Sequence, residues 1–126
     1  MENRQQSDKL REIVERIVSQ VDPDKIILFG SRARRQNAPT SDYDVCIIKS
    51  GIVHRRKITQ VAYHILQGIG IAVDVVVDTP EHYAAYQDNP FYIYYEISRE
   101  GVVVFDKFAN SQRVDQTSEE QFRTGS

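Results

Sequence analysis

The chain has 126 residues, 40% of them hydrophobic and 27% charged, with a formal net charge of −2. This is enough apolar material for one core and one domain, and the balance excludes a protein that grips nucleic acid through bulk positive charge, leaving only a local basic patch open. One cysteine, Cys46, rules out an intrachain disulfide, and no run approaches the ~18 apolar residues that span a membrane or forms a signal-peptide core, so a cytoplasmic protein without membrane contact is expected.

Residues 8–21 carry Leu10, Ile13, Val14, Ile17, Val18 and Val21 at helical spacing, which predicts an amphipathic helix. Ser7 or Asp8 can cap it, and Asp22-Pro23-Asp24 stops it. The apolar run 25–29 is too short for a helix and reads as a buried strand. Gly30-Ser31 ends it, and a short helix is expected through residues 32–36, followed by a loop to Ser41. A second strand is expected over 43–49. A second amphipathic helix follows over 54–67, with Ile58, Val61, Ala62, Ile65 and Leu66 on one face. Gly68 and Gly70 close it. A third strand covers 71–77, apolar except for Asp74. Thr79-Pro80 opens a short helix, a further helix occupies 91–99, and a last strand runs over 102–105. Residues 107–126 are polar and aperiodic, and a disordered tail is expected there. The order predicts an α/β (α+β) fold, a small sheet covered by helices.

Asp42 and Asp44 flank Tyr43. Strand alternation puts both carboxylates on one sheet face with Cα atoms about 6.5 Å apart, and Tyr43 on the other. Such a pair repels itself unless a hard cation with oxygen ligands, such as Mg²⁺, lies between. An Asp-x-Asp alone is short and common, and solvated turn residues explain most instances. Asp74 adds to it, because a carboxylate inside IAVDVVV needs a partner, a metal or a shifted pKa. Three converging acids can hold two metal ions about 3.5–4 Å apart; the competing reading pairs Asp74 with Lys49 or an arginine. Gly30 lets the backbone approach a ligand, the helix start after it offers N–H groups to phosphates, and the Ser31 hydroxyl can add a hydrogen bond. Arg32, Arg34 and Arg35 bring positive charge, at least one of them as a solvated surface residue. His54, His64 and His82 lack metal-pair spacing and read as surface histidines. The aromatic segment from Tyr83 to Tyr95 should contribute to the core, with a surplus suited to an interface.

Together, FGSRARRQNAPTSDYDVCII and VDVVV resemble the DNA polymerase β-type nucleotidyltransferase superfamily, in which Gly-Ser is followed by Asp-x-Asp and a third acid on a later strand. Ten residues separate Ser31 from Asp42, the spacing of the minimal nucleotidyltransferase (MNT) group, and the resemblance covers residues 10–106. One departure is Arg35-Gln36-Asn37, where many relatives carry a glycine. The resemblance implies a nucleotidyltransferase fold, with residues 1–106 as the MNT domain. It implies that Asp42 and Asp44 bind both of two Mg²⁺ ions (with Mn²⁺ as a substitute). Asp74 would bind the catalytic metal and help deprotonate the acceptor. Gly30 and Ser31 would hold the β- and γ-phosphates of ATP, aided by Arg32 or Arg34. MNT proteins are often encoded beside a HEPN-domain toxin, so the resemblance implies an antitoxin that transfers AMP to a tyrosine of a HEPN partner. Two alternatives remain: a non-catalytic binding module, and an RNA-modifying transferase. The acidic balance and the missing acceptor domain disfavour the second, and nucleic acid is not an expected partner. Homo-oligomerisation stays open.

Overall fold

The computed structural model describes residues 2–109, with side chains from residue 8. Eight elements follow in order: α1 (Glu2–Val21), β1 (Lys25–Phe29), β2 (Tyr43–Ile48), α2 (Arg55–Ile65), β3 (Val73–Asp78), α3 (Pro80–Tyr86), α4 (Ile93–Glu100) and β4 (Val102–Asp106). The α/β expectation holds. The strands form one mixed sheet in the order β3-β2-β1-β4. β1 lies antiparallel to β2 and β4, and β2 runs parallel to β3. Parallel neighbours need a long crossover, and α2 supplies it.

Strand alternation sorts the core into two layers. Ile26 and Leu28 of β1, Tyr43, Val45 and Ile47 of β2, and Val73, Val75 and Val77 of β3 face α1 and α2, where Ile13, Ile17, Ala62 and Leu66 meet them. Ile27, Phe29, Cys46 and Ile48 face the other way, onto Tyr94 and Ile97 of α4. Ile13, Ile17, Ile26 and Ile47 are fully buried, each such side chain contributing about 1.5–3 kcal/mol relative to exposure. β3 is an edge strand, and Tyr63 on α2 blunts its edge by accepting a hydrogen bond from the Val75 amide (2.9 Å).

Several expectations need correction. α1 starts six residues earlier than the Asp8 boundary, at Glu2. No helix forms over 32–36. The segment is a single turn, closed by Arg34 N to Gly30 O (3.1 Å) and Gln36 N to Ser31 O (2.9 Å), and Arg35 at φ +59° breaks the helical path. The left-handed conformation cannot continue a right-handed helix. At the start of the segment expected to be a tail, the Lys107 amide donates to Asp24 O (2.9 Å) and its ammonium pairs with Asp24 (3.4 Å). The remainder of the expected tail, residues 110–126, lies outside the described residues. Among the described residues no helix is long and apolar enough to cross a membrane.

Candidate active site

Two of the three acids are direct neighbours. In the β2–β3 register, Asp44 stands opposite Asp74, and alternation turns both to the face that carries Cys46 and Val76. Their side chains are close enough for Asp74 to push the Asp44 carboxyl upward. Asp42 lies one residue ahead of β2, in a stretch fixed by Tyr43 N donating to Ala72 O (3.0 Å) and Ser41 N to Ala38 O (3.0 Å). Tyr43 is buried on the opposite face, as alternation requires. Asp74 is exposed, contrary to the expectation that the apolar run would bury it. Its strand lies at the sheet's edge, so that end is open to solvent on this face.

Gly30 closes the site from β1. Phe29 is the register partner of Asp44, and the chain then turns with Gly30 at φ +76°. A Cβ at position 30 would overlap the Asp44 carboxylate. Glycine here therefore meets two demands at once, a left-handed backbone and the space Asp44 occupies. Ser31 follows, half-buried, and its hydroxyl has no partner among the described residues.

The arginines divide. Arg32 is buried: its guanidinium lies 4.0 Å over the Tyr43 ring and donates to Ser41 O (2.7 Å) and Pro39 O (3.2 Å). It thereby ties the turn after Gly30 to the loop that delivers Asp42. Arg34 is exposed and bridges Glu96 (3.1 Å) and Glu100 (3.2 Å) on α4. Exposed pairs of this kind are worth about 0–1 kcal/mol, so Arg34 can be released at small cost. The Arg35 amide donates to Arg32 O (3.3 Å), and its side chain makes no polar contact among the described residues.

None of Asp42, Asp44 and Asp74 pairs with a cation among the described residues, and Lys49 instead donates to Asp22 O (3.1 Å). Burial pushes the Asp44 carboxyl above the ordinary 3.8, and the charges of Asp74 and Asp42, the hydrogen bond to Asp74 and the charge of Glu96 push it further. The residues fit a hard metal in kind: three carboxylates, oxygen ligands only, uncompensated negative charge. They do not stand as a finished cage, because among the described residues no three acidic, histidine or cysteine side chains are already grouped closely enough to enclose an ion. Asp44 and Asp74 are the two that stand side by side, and Asp42, one residue ahead of β2, adds its charge to theirs.

Sequence reasoning missed a second acidic centre. Asp78 is fully buried, opposite Ile48 at the far end of β3. It accepts hydrogen bonds from the Tyr94 hydroxyl, the Thr79 amide (2.8 Å) and His82 Nδ1 (2.6 Å), and it pairs with Arg55 (3.2 Å). Burial raises its pKa, but the bonds from Tyr94, Thr79 and His82 outweigh this and hold it below the ordinary value. The same carboxylate, after burial, pushes up the Tyr94 hydroxyl, and burial followed by Asp78 raises the Cys46 thiol to about 12. His82 is thus a partner of a buried acid rather than a simple surface histidine. The available signal was the i, i+4 spacing of Asp78 and His82 across a helix start. Glu96, whose charge reaches Asp44, carried no signal at all.

Residues 11–110 match the family described as Polymerase beta, Nucleotidyltransferase. No curated protein matches the chain. Among solved structures, a proposed nucleotidyltransferase from Sulfolobus solfataricus is 22% identical, with a TM-score of 0.57 and 79% of each chain covered. A toxin–antitoxin structure with AMP-PNP is 15% identical, with a TM-score of 0.53 over 91% of this chain and 89% of that one. An MntA–HpeT toxin–antitoxin mutant is 14% identical, with a TM-score of 0.52 over 91% and 89%. These likenesses agree on the fold, and with the match over most of its length the chain belongs to the polymerase β nucleotidyltransferase family.

Proposed function

We propose that this chain transfers a nucleoside monophosphate, AMP from ATP, to a hydroxyl acceptor, and that the acceptor is a tyrosine of a HEPN-domain toxin that the chain neutralises. The observation that carries the reading is the pairing of Asp44 with Asp74 in register, against a glycine whose missing side chain leaves room for the Asp44 carboxylate. Asp42 and Asp44 would hold both Mg²⁺ ions, with Mn²⁺ as a substitute, and Asp74 the one beside the acceptor. Bound metal would stabilise charge on the attacking and leaving oxygens. Gly30 and the free Ser31 hydroxyl would receive the β- and γ-phosphates, and Arg34 would reach them on leaving Glu96 and Glu100. Arg32, engaged with Pro39, Ser41 and Tyr43, would act by placing the Asp42 loop. Asp74 would take the acceptor proton, and in-line attack on the α-phosphate would expel pyrophosphate. The toxin–antitoxin neighbours, one with AMP-PNP, support the nucleotide and the class of partner.

The test is transfer of label from α-labelled ATP to a co-purified HEPN partner, with and without EDTA. Label on a partner tyrosine only in the presence of Mg²⁺ supports the reading. Neutralisation of the toxin without any label transfer would instead favour a binding module acting by contact.

A further inference from the structure

Charge is distributed unevenly along this chain. From Val45 to Val73 there is no Asp or Glu, while Lys49, Arg55, Arg56 and Lys57 fall within that stretch. A segment of +4 therefore sits inside a chain of net charge −2. The cations concentrate at the start of α2, where the helix has no side-chain cap and no acid in its first turn. Cations there oppose the helix dipole, and among the described residues only Arg55 of these is paired with an acid, Asp78 at 3.2 Å. The side chains of His54, Arg56 and Lys57 are exposed and have no partner among the described residues. Val53, immediately before them, is 84% exposed. Further along the outer surface of α2, Lys57, Val61 and His64 fall at i, i+4 and i+7, all exposed.

We propose that this surface, centred on Val53, Arg56 and Lys57, is a docking surface for an acidic protein segment that also carries an apolar side chain. Carboxylates would meet Arg56 and Lys57, and the apolar group would cover Val53. Arginine beside exposed apolar side chains is the composition of a protein interface. A nucleic acid is the weaker occupant, because the chain as a whole is acidic (sequence pI ≈ 5.9) and Val53 offers nothing to a phosphate backbone. The surface is remote from the acids. α2 packs on the sheet face opposite Asp44 and Asp74, and Arg55 marks the Asp78 end of β3. A partner can therefore be held here while the acids remain open. The inference stands on charge and exposure, and does not depend on the transfer reading.

The experiment uses fluorescence anisotropy with a labelled amphipathic peptide of glutamates and leucines, and a labelled oligouridylate of equal charge as the second probe. The full chain should bind the peptide, more weakly as ionic strength rises. Arg56→Glu with Lys57→Glu should weaken the peptide by at least about tenfold, and Val53→Ser by about threefold. Mg–ATP calorimetry should be the same in all three proteins, so a failure of nucleotide binding is read separately from a failure of docking. Should the double variant not fold by circular dichroism, Lys57→Gln alone should still weaken the peptide measurably. Equal peptide binding by wild type and charge-reversed protein would overturn the proposal. So would tighter binding of the oligouridylate with no effect of Val53→Ser, which would make this a phosphate-binding surface.

Discussion

The carboxylate of Asp44 occupies the space where a side chain at Gly30 would begin. Two strands are thereby coupled at one point: the turn that leaves β1 can take its path only because residue 30 has no Cβ. Gly30→Ala should destabilise the protein by about 1–2 kcal/mol from the left-handed backbone alone, and displacing Asp44 adds to it. Thermal melting should fall accordingly, and Mg–ATP binding should fall further than melting predicts. Normal ATP affinity in a folded Gly30→Ala protein would show that Asp44 does not need its present position.

The pH dependence of the metal-free protein follows from Asp44. Its pKa is raised in the folded state, chiefly by burial and then by Asp74 and Asp42. The native chain therefore holds more protons than the unfolded chain from the ordinary value of 3.8 up to the raised one. Stability contributed by this group falls as pH rises through that window. Melting in EDTA should show this loss, and Mg²⁺ should reverse it by taking the proton's place. Asp44→Asn should remove both the pH slope and the Mg²⁺ effect.

Arg35 holds φ +59°, within the segment 35–37 where many relatives carry a glycine. Arg35→Gly relieves a cost of about 1–2 kcal/mol in the folded state and gives back about 0.5–1 kcal/mol through the freer unfolded chain. The melting temperature should therefore stay level or rise slightly. A clear drop would mean that the arginine side chain makes a contact that outweighs its backbone strain.

The strands, the helices and a small covered sheet were readable from the sequence because alternation and helical spacing leave few choices for strands such as KIILF and helices such as the one carrying Ile13 and Ile17. Gly30, Asp44 and Asp74 were readable for a different reason: each is a residue that its local run would not otherwise contain. The end of β3 was not. Asp78 fell between the expected strand and the helix start at Thr79-Pro80 and drew no reading, because nothing in its neighbourhood indicates that Tyr94, sixteen residues later, returns to donate to it. The exposure of Asp74 was hidden too, since it depends on strand order in the sheet. The missing helix after Ser31 turned on one left-handed residue, which composition does not reveal.

Asp78 joins the ends of α2, α3 and α4 to β3 through Arg55, His82 and Tyr94. Tyr94→Phe removes a hydrogen bond to a buried charged group and should cost about 1.5–3 kcal/mol, with ATP affinity little changed because the site lies at the other end of the strand. The folded Asp78 has a lowered pKa, so its stabilisation is complete above 3.8 and is lost as pH falls through the folded value. Acid unfolding of wild type should accordingly begin below that of Tyr94→Phe.

Asp42, Asp44 and Asp74 should separate into two roles when each is replaced by asparagine. Asp42 and Asp44 are proposed to touch the metal that escorts the triphosphate, so losing either should weaken Mg–ATP binding and abolish transfer together. Asp74 is proposed to touch only the metal beside the acceptor, so its contribution belongs to the transition state, when the hydroxyl loses its proton. Asp74→Asn keeps the size of the side chain and removes its charge. It should leave Mg–ATP affinity within a few-fold and reduce AMP transfer by several orders of magnitude, as expected for a mispositioned reacting group. Asp74 is exposed on an edge strand and its neighbour Asp44 gains from losing a like charge, so the metal-free variant should melt no lower than wild type. Calorimetry and single-turnover transfer on the same preparation check the pair. Transfer at the wild-type rate by Asp74→Asn would reduce Asp74 to a surface acid and leave Asp42 and Asp44 to carry any chemistry alone.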